Sequence, residues 1–204
     1  GGAPVWTESV TMIGYDTFGA VTETSDPKGR TTVIAYNANG QPISQTLPDY
    51  TPPDGGPTIS GAQTLTGYDE LGRVVWVRDP LGNQTDYGYD ALGRLVWERA
   101  PNGGETFYEY NLAGQVTKVI DPTGAVTTAT YDFLGRRLTS SEVVRQPSLQ
   151  TFTTTYEYWP SGLLKKVTPP GRNGTVYHYN AVGEVTRAID PAGNHTLYEY
   201  DFAG

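Results

Sequence analysis

The chain reads as an all-β repeat array, in which antiparallel β-hairpins follow one another to form a long curved sheet. Three observations predict this. A tyrosine followed four residues later by glycine recurs at Tyr15, Tyr36, Tyr68, Tyr89, Tyr110, Tyr131, Tyr158, Tyr179 and Tyr200, at separations of 21, 32, 21, 21, 21, 27, 21 and 21 residues. A fixed period of this size marks one supersecondary unit repeated. A second turn signal, Asp-Pro-x-Gly, falls between successive tyrosine copies, so turns arrive about every ten residues and the runs between them have strand length. The 204 residues include 25 Gly, 15 Pro and 15 Tyr, a composition of strands and turns with polar-edged aromatics supplying much of the packing.

The unit is cleanest between Gly72 and Gly93. Arg73-Val74-Val75-Trp76-Val77-Arg78 is a first strand. Asp79-Pro80-Leu81-Gly82 then fits a type I turn, with Asp accepting from the backbone ahead, Pro presetting φ and Gly relieving the exit. The same turn stands at Asp26, Asp121 and Asp190, with Ala100-Pro101-Asn102-Gly103 as a variant. Asn83 to Tyr89 is the second strand, and Tyr89-Asp90-Ala91-Leu92-Gly93 reads as a different turn. Here an Asx turn is paired with a glycine at positive φ, as a hairpin closing on a glycine bulge requires. Gly72, Gly93, Gly114 and Gly135 are the clearest of these glycines. Asx follows Tyr in eight copies, and Trp159 is the exception.

Sequential strands therefore pair as an antiparallel meander, one hairpin per repeat. Thr stands four residues before every repeat Tyr, at Thr11, Thr32, Thr64, Thr85, Thr106, Thr127, Thr154, Thr175 and Thr196. The period of two puts Thr, the intervening alternate residue and Tyr on one face. Some eighteen strands at about 4.8 Å would make a ribbon roughly 85 Å wide, and an open sheet of that width curls. The domain organisation expected is a single array over residues 1–204 of about nine 21-residue units. The two longer separations read as surface insertions near residues 48–58 and 142–150.

Net charge of −8 and a pI near 4.7 argue against a nucleic-acid partner, since the 14 basic residues are scattered and phosphate binding needs them clustered. No run of about 18 apolar residues is present, so no membrane insertion is expected. With no cysteine, disulfides and thiolate metal sites are excluded. This suits an exported protein that folds without oxidation.

No catalytic or metal-binding residue is assigned, and no cofactor is expected. The strongest row for catalysis is Glu157, His178 and Glu199, each just before a repeat Tyr. Equivalent positions in successive hairpins lie roughly 10 Å apart, too far for a direct proton relay. His178 and His195 lack metal-ligand companions at the usual spacings. The turn Asp residues are oxygen ligands of the type calcium takes, but turn capping accounts for every copy, and Asp79, Asp121 and Asp190 are assigned that role together with the turn glycines. Tyr87, Tyr108, Tyr156, Tyr177 and Tyr198 could form a ladder offering flat amphipathic faces to sugar rings. Cross-strand packing needs the same ladder and is the stronger reading.

Tyr68-Asp69-Glu70-Leu71-Gly72-Arg73, Tyr89-Asp90-Ala91-Leu92-Gly93-Arg94 and Tyr131-Asp132-Phe133-Leu134-Gly135-Arg136, interleaved with Asp-Pro-x-Gly, resemble the YD repeats of the RHS family, which includes teneurins and insecticidal toxin complexes. The resemblance implies a section of a spiralling β-sheet shell and a secreted or cell-surface setting. In the bacterial toxins of the family such a shell encloses a C-terminal effector. No segment resembles the closing core of those proteins, and the last residues, Tyr200 to Gly204, fall inside a repeat, so the chain is expected to be a piece of a longer protein. The leading functional expectation is a structural shell segment, not an enzyme, whose partners are the rest of the shell or its cargo. The alternative is a carbohydrate- or protein-binding adhesin module using the tyrosine ladder. If the repeats are cut from a continuing wall, uncovered edges and faces also predict a reversible homo-oligomer.

Overall fold

The structure, a computed structural model, describes residues 10–53, 55–144 and 150–201. Asp54 and residues 145–149, both in the expected insertions, and residues 202–204 of the last repeat lie outside the described residues. Two compact units are present, Gly1–Gly103 and Gly104–Gly204. The first contains β1 (Met12–Tyr15), β2 (Val21–Ser25), β3 (Thr31–Tyr36), β4 (Pro42–Thr46), β5 (Gln63–Tyr68), β6 (Val74–Arg78), β7 (Gln84–Tyr89) and β8 (Leu95–Arg99). The second contains β9 (Glu105–Tyr110), β10 (Val116–Ile120), β11 (Val126–Tyr131), β12 (Arg137–Val144), β13 (Gln150–Tyr158), β14 (Leu164–Thr168), β15 (Thr175–Tyr179), β16 (Val185–Ile189) and β17 (His195–Leu197). Within each unit every strand pairs antiparallel with the next in sequence. The described residues hold seventeen strands and not eighteen, because nine tyrosine strands leave eight intervals between them.

The two turns of the repeat, read from sequence as different kinds, share one backbone. At Asp69 the amide donates to the Arg73 carbonyl and Gly72 N–H returns to the Asp69 carbonyl, both at 3.0 Å. Asp69 Oδ1 accepts from Leu71 N–H and Arg73 N–H. Asp79 repeats this pattern with Asn83, Gly82 and Leu81. An Asx followed three residues later by Gly is the common frame, and the proline of the second version only presets a φ the turn needs anyway. Gly93 (φ 81°) and Gly82 (φ 86°) show that both versions end on a left-handed glycine. The backbone turn survives without its cap: Gly103 N–H still donates to Ala100, and Gly162 N–H to Trp159.

What separates the two hairpins is a bulge. All eight tyrosine hairpins shift register beside the tyrosine. Tyr68 faces Val74 while Gly67 faces Trp76, so Val75 is an extra residue on β6. The other hairpins carry no such shift; β6 and β7 run in register from Arg78↔Gln84 to Trp76↔Asp86.

The insertions prolong hairpins and do not simply add surface loops. Tyr50 and Ile59 exchange backbone hydrogen bonds of 2.9 and 2.8 Å beyond the end of β4 and β5. The second insertion lengthens β12 and β13, which pair as far as Val144↔Gln150.

Neither unit has a hydrophobic core in the usual sense. Among the described residues no apolar side chain is buried, and Ser25 is the one buried polar residue. The sheet is a single layer. Its two faces differ chemically, as the strand alternation dictates. The tyrosine face carries Thr85, Val77 and Thr66 in register, and Tyr108 with Val119 and Thr127. The opposite face carries ion pairs, Arg99–Asp86 at 3.0 Å and Lys118–Glu109 at 2.7 Å.

Candidate functional site

The element that repeats most faithfully is the repeat tyrosine. Along β6 and β7 the ladder stops at Trp76↔Asp86, and toward the tyrosine turns the two strands no longer exchange backbone bonds. The Tyr89 hydroxyl closes that gap by donating to the Val74 carbonyl at 2.8 Å. Val74 is the residue that faces the previous repeat tyrosine, Tyr68, at its bulge. The same bond runs from Tyr36 to Val21, Tyr68 to Pro42, Tyr131 to Val116, Tyr158 to Arg137, Tyr179 to Leu164 and Tyr200 to Val185, all at 2.8–2.9 Å. Each acceptor is the register partner of the preceding tyrosine. A bulge leaves a carbonyl outside the ladder, and an acceptor without a partner costs free energy. Phenylalanine could fill the same space but could not donate.

A second set of staples comes from the residue after the turn glycine. Asp69, Asp90 and Asp132 each hold the following Arg through Oδ2 at 2.7 Å. Asp79 and Asp190 take the amide of Asn83 and Asn194, whereas Asn37, Asn111 and Asn180 donate to Gln41, Gln115 and Glu184. The partner is thus matched to the chemistry of the cap. Some of these side chains continue into the next repeat: Arg73 Nη1 donates to the Asp90 carbonyl, Gln41 Nε2 to Gly72 and Gln115 Nε2 to Gly135. Arg73 also stands 4.9 Å over the Tyr89 ring.

These bonds set the electrostatics of the edge. The Arg30 side chain holds the Asp26 carboxyl below the ordinary carboxylate range, and the Asn83 and Asn194 amides do the same for Asp79 and Asp190. At Asp90 the Arg94 backbone N–H is the leading cause of the same lowering. Asp79 and Asp190 thus engage both carboxylate oxygens within their own turns. Among the described residues no group of three or more His, Asp or Glu gathers as a metal site would require.

The proposed tyrosine ladder is interrupted. Glu98 faces Tyr87, Val119 faces Tyr108, Val167 faces Tyr156 and Ala188 faces Tyr177. The rows are also staggered, since Val167 leads on to Thr175, two residues short of Tyr177. Tyr198 lies just beyond β17, its N–H donating to the Thr186 carbonyl. The Glu157, His178, Glu199 row is staggered in the same way. Glu157 takes Lys165 Nζ at 3.0 Å, which holds its carboxyl below the usual range. His178 Nε2 lies 3.0 Å from Arg187 Nη2 with its ring 5.7 Å from Trp159, and Glu199 follows β17 at the exposed surface.

Two pairings on the opposite face escaped the sequence reading. The Trp76 indole lies over Gly67, where a Cβ would fall 2.0 Å from Nε1, and Trp97 lies over Gly88, where a Cβ would fall 3.1 Å from Cε3. An aromatic ring covering a strand glycine repairs the packing that the missing side chain forfeits. The signal was present as Gly immediately before Tyr with Trp nine residues further on, in two successive repeats. The hydroxyl staple had a signal too, in nine tyrosines and no phenylalanine at the repeat position.

No curated protein sequence matches the chain. Among solved structures it is similar to TcdB2-TccC3 without its hypervariable C-terminal region, at 16% identity and a TM-score of 0.69 over 87% of this chain and 10% of that one. It is similar to TcdB2-TccC3-Cdc42 at 15% identity and a TM-score of 0.68, with the same coverage. It also resembles a chain of the Photorhabdus luminescens Tc holotoxin pore, at 17% identity and a TM-score of 0.60 over 94% of this chain and 12% of that one. The chain therefore spans about a tenth of the structures it matches. The family model described as Teneurin YD-shell matches residues 6–204, and with its tyrosine-stapled hairpins the chain belongs to the teneurin YD-shell family.

Proposed function

We propose that the chain is a structural segment of the wall of a large secreted or cell-surface YD-repeat protein, which encloses a cargo or presents a surface. One observation carries this reading: a sheet without a buried apolar side chain among its described residues, in which, within each unit, tyrosine hydroxyls fasten successive hairpins at seven places. Stability in such an array comes from intrinsic repeat terms and nearest-neighbour terms, so the wall can be extended without any one segment enclosing a core. The toxin-complex structures that share the fold support the reading. The segment's partners are the remainder of the shell and its cargo, and no reaction or cofactor is assigned to it.

The test uses the whole parent protein. Electron microscopy of the purified protein is expected to show a hollow particle, with the polypeptide inside it resisting protease until the shell is denatured. A solid or filamentous particle, digested uniformly from the outset, would refute the proposal.

A further inference from the structure

The tyrosine edge is not uniform, and one place on it has groups the fold leaves unused. Between the β3–β4 turn and the β5–β6 turn lies a hollow of about 650 Å³, within the range of small-ligand sites. Its floor is apolar, formed by Ile43, Leu65 and Gly67 with the Trp76 indole. Most of its polar groups are engaged. Asn37 and Asp69 cap their own turns, and Gln41 bridges from the Asn37 amide to the Gly72 carbonyl. The Trp76 indole N–H, the Asn39 amide and the Glu70 carboxylate are among the lining groups that have no hydrogen-bond partner among the described residues. They supply an aromatic donor, a group that both donates and accepts, and a charged acceptor around one cavity.

The hollow at the corresponding place in the second unit differs in this respect. It is lined by Trp159, His178 and Leu163 among others, but the Trp159 indole N–H donates to the Tyr177 carbonyl at 3.0 Å and so serves the fold. Trp76 is also placed by an arrangement that forbids a side chain opposite it, since any Cβ at position 67 would collide with the ring. Trp97 shares that packing over Gly88 but does not line the hollow.

We infer that the hollow formed by Trp76, Asn39 and Glu70 is a binding site for a neutral saccharide. The chemistry selects the class. An indole offers a flat apolar surface to the C–H face of a pyranose ring, while an amide and a carboxylate exchange hydrogen bonds with its hydroxyls. No Lys or Arg lines the hollow, and Asp69 and Glu70 put negative charge at its rim. The chain as a whole carries −8, so phosphorylated, sulfated and uronic ligands are disfavoured. Arg78 stands 5.7 Å over the Trp76 ring and keeps its charge, but it does not line the hollow, and its Nε and Nη2 are directed to Gln84 Oε1. The site is independent of the shell reading and would present a glycan-binding spot on whatever structure the repeats build.

Calorimetric titration of the 204-residue chain with maltotriose, cellotriose and triacetylchitotriose, and with trigalacturonate as the charged counterpart, tests the inference. At least one neutral trisaccharide is expected to bind with a Kd of about 1 mM or tighter, and trigalacturonate at least about tenfold more weakly. Trp76→Ala should abolish the heat of binding. Asn39→Ala with Glu70→Gln, both at exposed turn positions, should weaken binding about tenfold without touching the packing over Gly67. Trp97→Ala removes the same kind of ring-over-glycine packing outside the hollow and should leave binding within about twofold. Saturation by none of the neutral sugars up to about 10 mM, tighter binding of trigalacturonate, an Asn39→Ala/Glu70→Gln variant that binds like the parent, or equal losses from Trp97→Ala and Trp76→Ala would each overturn the assignment.

Discussion

Replacing Tyr89 by Phe removes one atom and isolates the bond on which the repeat turns. The hydroxyl donates to the Val74 carbonyl at 2.8 Å in a part-buried setting. A typical net hydrogen bond contributes about 0.5–1.5 kcal/mol, and an acceptor left without a partner adds to the loss. Water reaches this partly buried edge, so Tyr89→Phe is expected to cost about 1 kcal/mol, or about 2–4 °C in melting temperature for a chain of this length. The ring remains, so the Arg73 guanidinium 4.9 Å above it keeps most of its contact. Tyr87→Phe is the matched control. Tyr87 lies on the same strand and face, but its hydroxyl has no partner among the described residues, and its loss should cost less than about 0.5 kcal/mol. Urea unfolding followed by tyrosine and tryptophan emission measures both. Equal destabilisation by the two variants, or no effect of either, would refute the argument that the tyrosine hydroxyl couples successive hairpins.

Four further outcomes follow from the same geometry. Gly93→Val should destabilise by about 1 kcal/mol or more relative to Ala91→Val, because Gly93 sits at φ 81°, where a side chain strains the backbone, and a Cβ there would meet only Arg73 Nη1 at 3.9 Å, an ordinary contact; equal melting temperatures would contradict this. Gly67→Ala should cost about 1–3 kcal/mol as the new methyl displaces the Trp76 indole, with a red shift in tryptophan emission, while Gly14→Ala, whose Cβ would stand 3.3 Å from Glu23 Cβ, should cost less. The carboxyls of Asp26, Asp79, Asp90 and Asp190 are lowered in the folded chain; their contribution is therefore fully present above the unfolded value near 3.9 and is lost as pH falls through the lower folded values. Asp90→Asn should accordingly flatten the acid limb of the stability curve below about pH 4, read by chemical denaturation at stepped pH, and an unchanged acid limb would count against the capping bonds. Finally, apolar turn tips such as Phe18 and Phe133 are 95% and 94% exposed, so the isolated chain should associate reversibly with rising concentration in sedimentation velocity, whereas a 22.1 kDa monomer at every concentration would show that the uncovered surface does not self-associate.

The sequence by itself determined the antiparallel order of the strands and the location of the Tyr-Asx and Asp-Pro-x-Gly turns, though not the turn at Pro169–Gly171. These depend on local chemistry: an Asx that caps its own backbone, a glycine free to adopt positive φ, and a two-residue alternation that fixes which residues share a face. Gly72, Gly93, Gly114 and Gly135 could be named as turn glycines for that reason, and the pairing of Asp with Arg, or Asn with Gln, four residues apart across the turn glycine could have been read in the same way. The tertiary structure decided what lies between neighbouring strands. A bulge shifts register beside eight of the repeat tyrosines, and the next tyrosine hydroxyl donates to a carbonyl that belongs to the previous repeat, some 15 residues back in the regular copies. Stagger between neighbouring strands broke up the tyrosine ladder, and only cross-strand register brought Trp76 over Gly67. None of these follows from a local rule, because each depends on how two separately legible hairpins align.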